Sequence, residues 1–199
     1  NSRGSFTWAR LHASKKMHKF VAICEGNYKP NPFHNFSHGL DVTLELRRYL
    51  HVSKLEGLLS EVTQFWLLVA GLGHDIGHPG VNNQFLVETA HAYALTYNDI
   101  APLESLHCSL LFQALRNPEA NLFQDLDKAD YKEARAGMVE AILHTDMMKH
   151  NECIKDLGIL HTMNSTEAES RPLSLQELTG ALEDPKSRQL VLNALLHTA

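Results

Sequence analysis

Apolar residues recur along this chain mainly at steps of three and four, as in Leu40, Leu44, Leu46 and Leu50 and again in Phe65, Leu68, Val69 and Leu72. That is the period of an α-helix with one buried face. The same pattern predicts helices around Asn83 to Tyr97, Glu104 to Leu115, Tyr131 to Lys149, Ser174 to Glu183 and Ser187 to His197. No alternating run is long enough to read as a strand, so the expected fold class is all-α, a compact multi-helix bundle. Turn-forming residues interrupt the pattern at Gly26 to Pro32, Gly77 to Gly80, Asn117-Pro118 and Asn164 to Pro172. They read as loops inside one unit, the last a polar surface loop. Ser174, three residues ahead of Glu177, is placed to cap the helix that follows.

Composition narrows the picture. With 199 residues, 44% of them hydrophobic, the chain can bury one sizeable core, which predicts one domain or most of one over 1–199. A formal net charge of -5, from 18 basic and 23 acidic side chains, disfavours binding to a nucleic-acid polymer or an anionic membrane surface. A small anionic substrate stays compatible with that charge, because a bound metal supplies positive charge locally. The 3 cysteines lie far apart and form no CxxC pair, which points to a reducing interior and a cytoplasmic location. No apolar stretch approaches the roughly 20 residues that cross a bilayer. A membrane anchor would therefore have to come from elsewhere in a parent protein. The start at Asn1 and the end at Ala199 are expected to be those of an excerpt.

Chemistry concentrates in two clusters. In Pro32-Phe33-His34-Asn35-Phe36-Ser37-His38-Gly39-Leu40-Asp41-Val42, the residues His34, His38 and Asp41 stand at i, i+4 and i+7 and would share one face of a helix. In Leu67 to Gly80, an apolar helix ends in His74-Asp75, and His78 follows before Pro79-Gly80. Burying ionisable groups at the end of an apolar element is costly unless a metal or a charged partner compensates. Together, His38, His74 and Asp75 form a nitrogen and oxygen donor set suited to zinc, manganese or iron, with a fourth ligand expected on a later helix. Two further patches, Glu104 with His107 and the Thr145-Asp146 pair, look like support for this site, although each taken alone reads as a solvated helix face.

In order, these motifs resemble those of the class I cyclic nucleotide phosphodiesterases, within the wider group of HD-type metal hydrolases. The family's HNxxHxxDV helix is matched by His34 to Val42, its HDxxHPG turn by His74 to Gly80, and its Asn-Gln-Phe segment by Asn83 to Phe85. Its YND…LE…H stretch is matched by Tyr97 to His107 and its TDMxxH helix end by Thr145 to His150. The resemblance implies a phosphodiesterase-type helical bundle, incomplete at its C-terminus, of which 1–199 is the N-terminal and middle portion. It implies that His38, His74 and Asp75 ligate a tight metal, usually zinc, with Asp75 bridging to a second, usually magnesium or manganese. His34 takes the part of general acid. His78, Glu104 and Thr145 hold waters of the second metal, Asp146 is a supporting carboxylate, and Asp41 orients a histidine. Phe33 and Met147 line the substrate pocket. Phe33 replaces a common Tyr, Leu106 replaces one of two adjacent histidines, and the fourth ligand, an Asp, is expected directly after Ala199.

The activity so implied is hydrolysis of the 3',5'-cyclic phosphodiester of cAMP or cGMP to a 5'-monophosphate. Two metals clamp the phosphate and activate water, and a histidine protonates the leaving 3' oxygen. Two other readings compete. An HD-type phosphohydrolase acting on another phosphoester is the nearer, though the HNxxHxxDV segment argues against it. A non-catalytic regulatory module of the same fold is kept open by Phe33, Leu106 and the missing ligand. A helical domain without any site has to treat five ordered motifs as coincidence.

Overall fold

The computed structural model describes residues 15–165 and 171–199. Among them are ten α-helices and no strand: α1 Lys15–Asn27, α2 Phe36–Val52, α3 Glu61–Gly73, α4 Asn83–Glu88, α5 Ala92–Tyr97, α6 Pro102–Arg116, α7 Lys128–Leu143, α8 His150–Asn164, α9 Leu175–Glu183 and α10 Pro185–Thr198. Single 3-10 turns stand at Leu55–Gly57 and Met147–Lys149. The all-helical expectation holds.

The hub of the fold is α3, sequence EVTQFWLLVAGLG, whose residues are buried almost throughout from Thr63 to Gly73. A helix apolar on every side has to be surrounded, and α2, α6, α7 and α10 pack around it. Ser60 caps its start by accepting from the Thr63 amide at 3.0 Å. Phe65, Trp66 and Leu67 meet Leu46 and Leu50 of α2, Leu111 and Leu115 of α6 and Met138 and Ile142 of α7 in one core. Burying each such side chain contributes about 1.5–3 kcal/mol. A smaller cluster of Leu86, Ala94 and Leu103 joins α4, α5 and the start of α6.

Several boundaries differ from the sequence reading. The inward stripe of α2 is Gly39, Val42, Leu46 and Leu50, whereas Leu44 is 67% exposed and Leu40 is also on the surface. The helix expected over Asn83 to Tyr97 is two short ones, because the chain takes a left-handed step at Ala90 (φ 47°) and His91 caps a fresh start by accepting from the Tyr93 amide. The turn lets Leu86 and Ala94 face the same small core. The helix expected to run to Lys149 stops at Leu143, where Thr145 Oγ1 donates to the Ile142 carbonyl and Asp146 accepts from the Met148 amide. Both side chains terminate the helix rather than ride on it. Helices α1 and α8 were not anticipated: each buries only two residues, Phe20 and Cys24 in one and Cys153 and Leu160 in the other. Helix α1 also carries through Gly26, which reads as a break in the sequence. The capping box of Ser174 and Glu177 forms as expected. Of the polar loop at Asn164 to Pro172, residues 166–170 lie outside the described residues, as does the segment that begins at Asn1.

Candidate metal and acid–base site

The site is assembled where the C-terminus of α3 meets the loop ahead of α2 and the start of α6. Helix α3 ends at Gly73, so His74 and Asp75 leave it at the edge of the core, both 7% exposed. Asp75 is the centre. Its Oδ2 lies 2.6 Å from His34 Nδ1, 3.4 Å from His38 Nε2 and 3.5 Å from His74 Nε2, and its Oδ1 lies 3.8 Å from His107 Nε2. His78 completes the ring of imidazoles, stacked on His34 with centroids 3.9 Å apart and planes 10° apart.

The expectation that His34, His38 and Asp41 share a helical face is corrected. Asn35 is the N-cap of α2, accepting from the His38 amide at 3.1 Å, so His34 precedes the helix in non-helical chain. Placed there, it turns toward Asp75 instead of following the helix wheel. Asp41 is exposed and, among the described residues, makes no hydrogen bond to a histidine. The reading of Glu104 and His107 as a solvated face is corrected as well. They are 8% and 1% exposed, on the buried side of α6.

Backbone hydrogen bonds set the histidine tautomers, and the tautomers separate ligands from donors. His74 Nδ1 donates to the Gly71 carbonyl at 2.8 Å and His107 Nδ1 donates to the Ile76 carbonyl at 2.8 Å. In both, the neutral ring keeps a lone pair on Nε2, the nitrogen that faces Asp75. His78 is wired the other way: its Nδ1 accepts from the Gly80 amide at 3.0 Å, which leaves the proton on Nε2. His78 is therefore a donor in its neutral form, suited to a water or a phosphoryl oxygen. Gly80, at φ +86°, supplies the left-handed step that brings that amide back over the ring.

Burial pushes the Asp75 carboxyl up, but hydrogen bonds from His34 and His38 and the nearby His74 and His107 outweigh it and hold the group well below the usual carboxylate range. The same Asp75 hydrogen bond raises the pKa of His34 against the effect of partial burial, favouring its protonated form. Burial lowers His74, and takes His78 and His107 down to about 4, keeping all three neutral. Neutral imidazoles around an ionised carboxylate are the protonation states that a divalent cation requires of its ligands. Two donor groups have all their ligand atoms within 4.8 Å of one another: His34, His38 and Asp75, and Asp75, His78 and His107. Asp75 is common to both groups, and with the Nε2 lone pairs of His74 and His107 turned toward it the donor set fits a divalent metal.

Around this centre, Glu104 accepts from Asn83 Nδ2 at 2.8 Å, while Asn83 Oδ1 accepts from the Leu103 amide at 2.9 Å. Burial raises the Glu104 pKa against the Asn83 bond, and Asp146 and Asp75 add to the rise, which puts all three carboxylates within electrostatic reach. Thr145 and Asp146 are half-buried. Met147 is 71% exposed, and Phe33, 63% exposed, lays its ring against His38 with centroids 4.5 Å apart. In the sequence His107 stands out only as a partner of Glu104, and Asn31, whose Nδ2 donates to the His34 and His78 carbonyls at 3.0 and 2.8 Å, does not stand out as a site residue at all. The available signal for His107 was its place beside Leu103, Leu106 and Leu111 on the apolar side of α6; Asn31 left none. A cavity of about 880 Å³ lies elsewhere, lined by Trp66, Glu140, Leu160 and Asn193 among others, and includes none of these residues.

A buried carboxylate ringed by four imidazoles on an all-helical scaffold has the donor chemistry of a protein that could hold a divalent metal. Residues 33–199 match the 3'5'-cyclic nucleotide phosphodiesterase family, and the chain belongs to it. It is 32% identical over 187 residues to the high affinity cAMP-specific and IBMX-insensitive 3',5'-cyclic phosphodiesterase 8A of Mus musculus, covering 92% of this chain and 23% of that protein. It is 36% identical over 136 residues to the high affinity cGMP-specific 3',5'-cyclic phosphodiesterase 9A of Mus musculus, covering 68% of this chain and 26% of that protein. Among solved structures, the phosphodiesterase domain of Salpingoeca rosetta rhodopsin phosphodiesterase superposes with a TM-score of 0.82 at 30% identity, over 92% of this chain and 52% of that one. The chain thus spans about a quarter of these curated relatives and about half of the solved domain.

Proposed function

We propose that this chain carries the metal-holding and proton-donating part of a site that hydrolyses 3',5'-cyclic nucleotides, cAMP, cGMP or both, to 5'-monophosphates. The observation that carries the reading is Asp75 with four imidazole nitrogens inside 4 Å. His38, His74 and Asp75 would hold the tighter cation, zinc by the family resemblance, and Asp75 would share a second, magnesium or manganese. When bound, divalent cations supply positive charge to phosphoryl oxygens and acidify water. The chain's own residues do the rest. Asp75 keeps His34 protonated through Nδ1, and His34 Nε2 makes no protein hydrogen bond among the described residues, leaving it free to give a proton to the departing 3' oxygen. His78 presents Nε2–H to a water or a phosphoryl oxygen. Glu104 and Thr145 hold water, Asp146 is a supporting carboxylate, and Phe33 and Met147 offer exposed apolar surface to the nucleoside.

Relatives specific for cAMP and for cGMP both support the substrate class. No helix among the described residues is long and apolar enough to cross a membrane. Three buried cysteines kept as thiols support a cytoplasmic location.

The test is hydrolysis of cAMP and cGMP, with and without chelator, by this chain and by any longer natural polypeptide that contains it. His34→Ala should lose roughly 10²- to 10⁴-fold in kcat with metal content retained, and Asp75→Ala should lose both. If metal binds but neither nucleotide turns over, the function moves to another phosphoester or to a regulatory role.

A further inference from the structure

The imidazole of His34 is positioned against a carboxylate 41 residues away in sequence, yet His34 stands outside any helix, in the short segment between α1 and α2. Something other than helical geometry has to hold it. The segment carries its own hydrogen bonds: the Asn35 amide donates to the Phe33 carbonyl at 2.7 Å, and Asn35 Nδ2 donates to the Asn31 carbonyl at 3.0 Å. These shape the loop but do not tie it to the rest of the site. The tie is Asn31, whose Nδ2 donates to the His34 carbonyl at 3.0 Å and to the His78 carbonyl at 2.8 Å.

A carboxamide nitrogen has two hydrogens, and here each has a carbonyl to meet, one on the loop ahead of α2 and one on the turn beyond α3. Because both partners are acceptors, the amide orientation is determined by the network. The oxygen side is confined too, since a Cβ placed on Gly80 would stand 3.1 Å from Asn31 Oδ1. The turn therefore closes on the carboxamide from the other side. The two backbones that Asn31 joins belong to the two imidazoles stacked 3.9 Å apart, one of which makes the 2.6 Å hydrogen bond to Asp75.

From this geometry we infer that Asn31 is a positioning residue: by cross-linking the main chains of His34 and His78, it holds the His34 ring on Asp75. As a contribution to the reaction this rests on the phosphodiesterase reading above; as a statement about His34 it does not. A displacement on the order of 1 Å at a reacting group costs about 10²-fold in rate, so a side chain that touches no substrate can govern turnover.

Asn31→Asp is the sharpest probe. It keeps the shape, removes both donors and sets negative charge against two carbonyl oxygens. Asn31→Ala removes the donors without the charge, and circular dichroism checks the helical content of both. With cAMP and cGMP as substrates, both variants should lose roughly ten- to a hundredfold in kcat, with KM and metal content within about twofold of wild type. A rise in KM at unchanged kcat, or a loss of kcat in step with loss of metal, overturns the inference. The second readout does not depend on activity. In the chelated, 15N-histidine-labelled 199-residue chain, the low-field Nδ1–H resonance of His34, assigned by His34→Gln, should be present in wild type and lost in both variants. If it persists unchanged, Asn31 does not position His34. If it is lost while wild type hydrolyses neither nucleotide, the positioning role stands and the phosphodiesterase reading falls.

Discussion

Asp75 is held ionised by the imidazoles around it, while burial, against the pull of that carboxylate, keeps His74, His78 and His107 neutral. Burial takes His107 from 6.5 down to about 4, so between those values the unfolded chain binds a proton that the folded chain refuses. Stability therefore falls as pH drops through that window. A shift of that size in one group is worth on the order of 3 kcal/mol. His34, raised by Asp75, works in the opposite sense: its contribution is complete below its unfolded pKa and is lost as pH rises through its folded one. Urea midpoints of the chelated protein should fall from pH 6.5 toward pH 4. His107→Asn, which keeps a donor for the Ile76 carbonyl but cannot titrate, should flatten the slope. An unchanged slope would assign the effect to the other histidines. At this scale the sequence was partly legible: His74-Asp75 at the end of an apolar run announces an ionisable pair at the core's edge. That His34 leaves the helix, or that His107 points inward, depends on Asn35 as a cap and on what α6 packs against.

Helices bring those residues within reach, and their closeness rests on small side chains. The Gly137 position of α7 faces the Trp66 ring of α3, and a Cβ there would lie 2.7 Å from Trp66 Cζ2. Trp66 is 3% exposed and cannot swing into solvent without vacating the core. Gly137→Ala gains helix propensity of nearly 1 kcal/mol but forces α7 off α3, an overpacking cost of typically 1–3 kcal/mol. We expect a net loss of up to about 2 kcal/mol in chemical denaturation, reduced when Trp66→Phe is added. A lone Gly137→Ala more stable than wild type would show that α7 can retreat freely. Periodicity found the helices with a full apolar face. It passed over α1 and α8, whose buried residues number two each, and it joined α4 to α5 because a left-handed Ala90 has no signature in the hydrophobic pattern.

For the molecule as a whole, the donor set couples metal binding to stability. A cation that binds the folded chain and not the unfolded one stabilises by about 2.7 kcal/mol at a hundredfold excess over Kd. Differential scanning calorimetry should show the melting temperature rising by several degrees on adding zinc or manganese, with the gain abolished in Asp75→Asn. A gain that survives in Asp75→Asn would place the metal elsewhere. The match to solved phosphodiesterase domains covers about half of their length, and within that half the hub helix, its caps and the imidazole ring form one body.

The sequence by itself determined the all-helical class and the order of the motifs, and it singled out His34, His38, His74, Asp75 and His78 as candidates. Each of these follows from local spacing, or from chemistry that an apolar neighbourhood makes costly. Tertiary structure decided which of these meet. Asp75 draws imidazoles from α2 and the loop ahead of it, from the end of α3 and from α6, Asp41 is left in solvent, and Asn31 ties His34 to His78, a residue 47 positions from Asn31 in the chain. Contacts of that kind are set by which faces two helices bury against each other, and the pattern along one chain does not carry that choice.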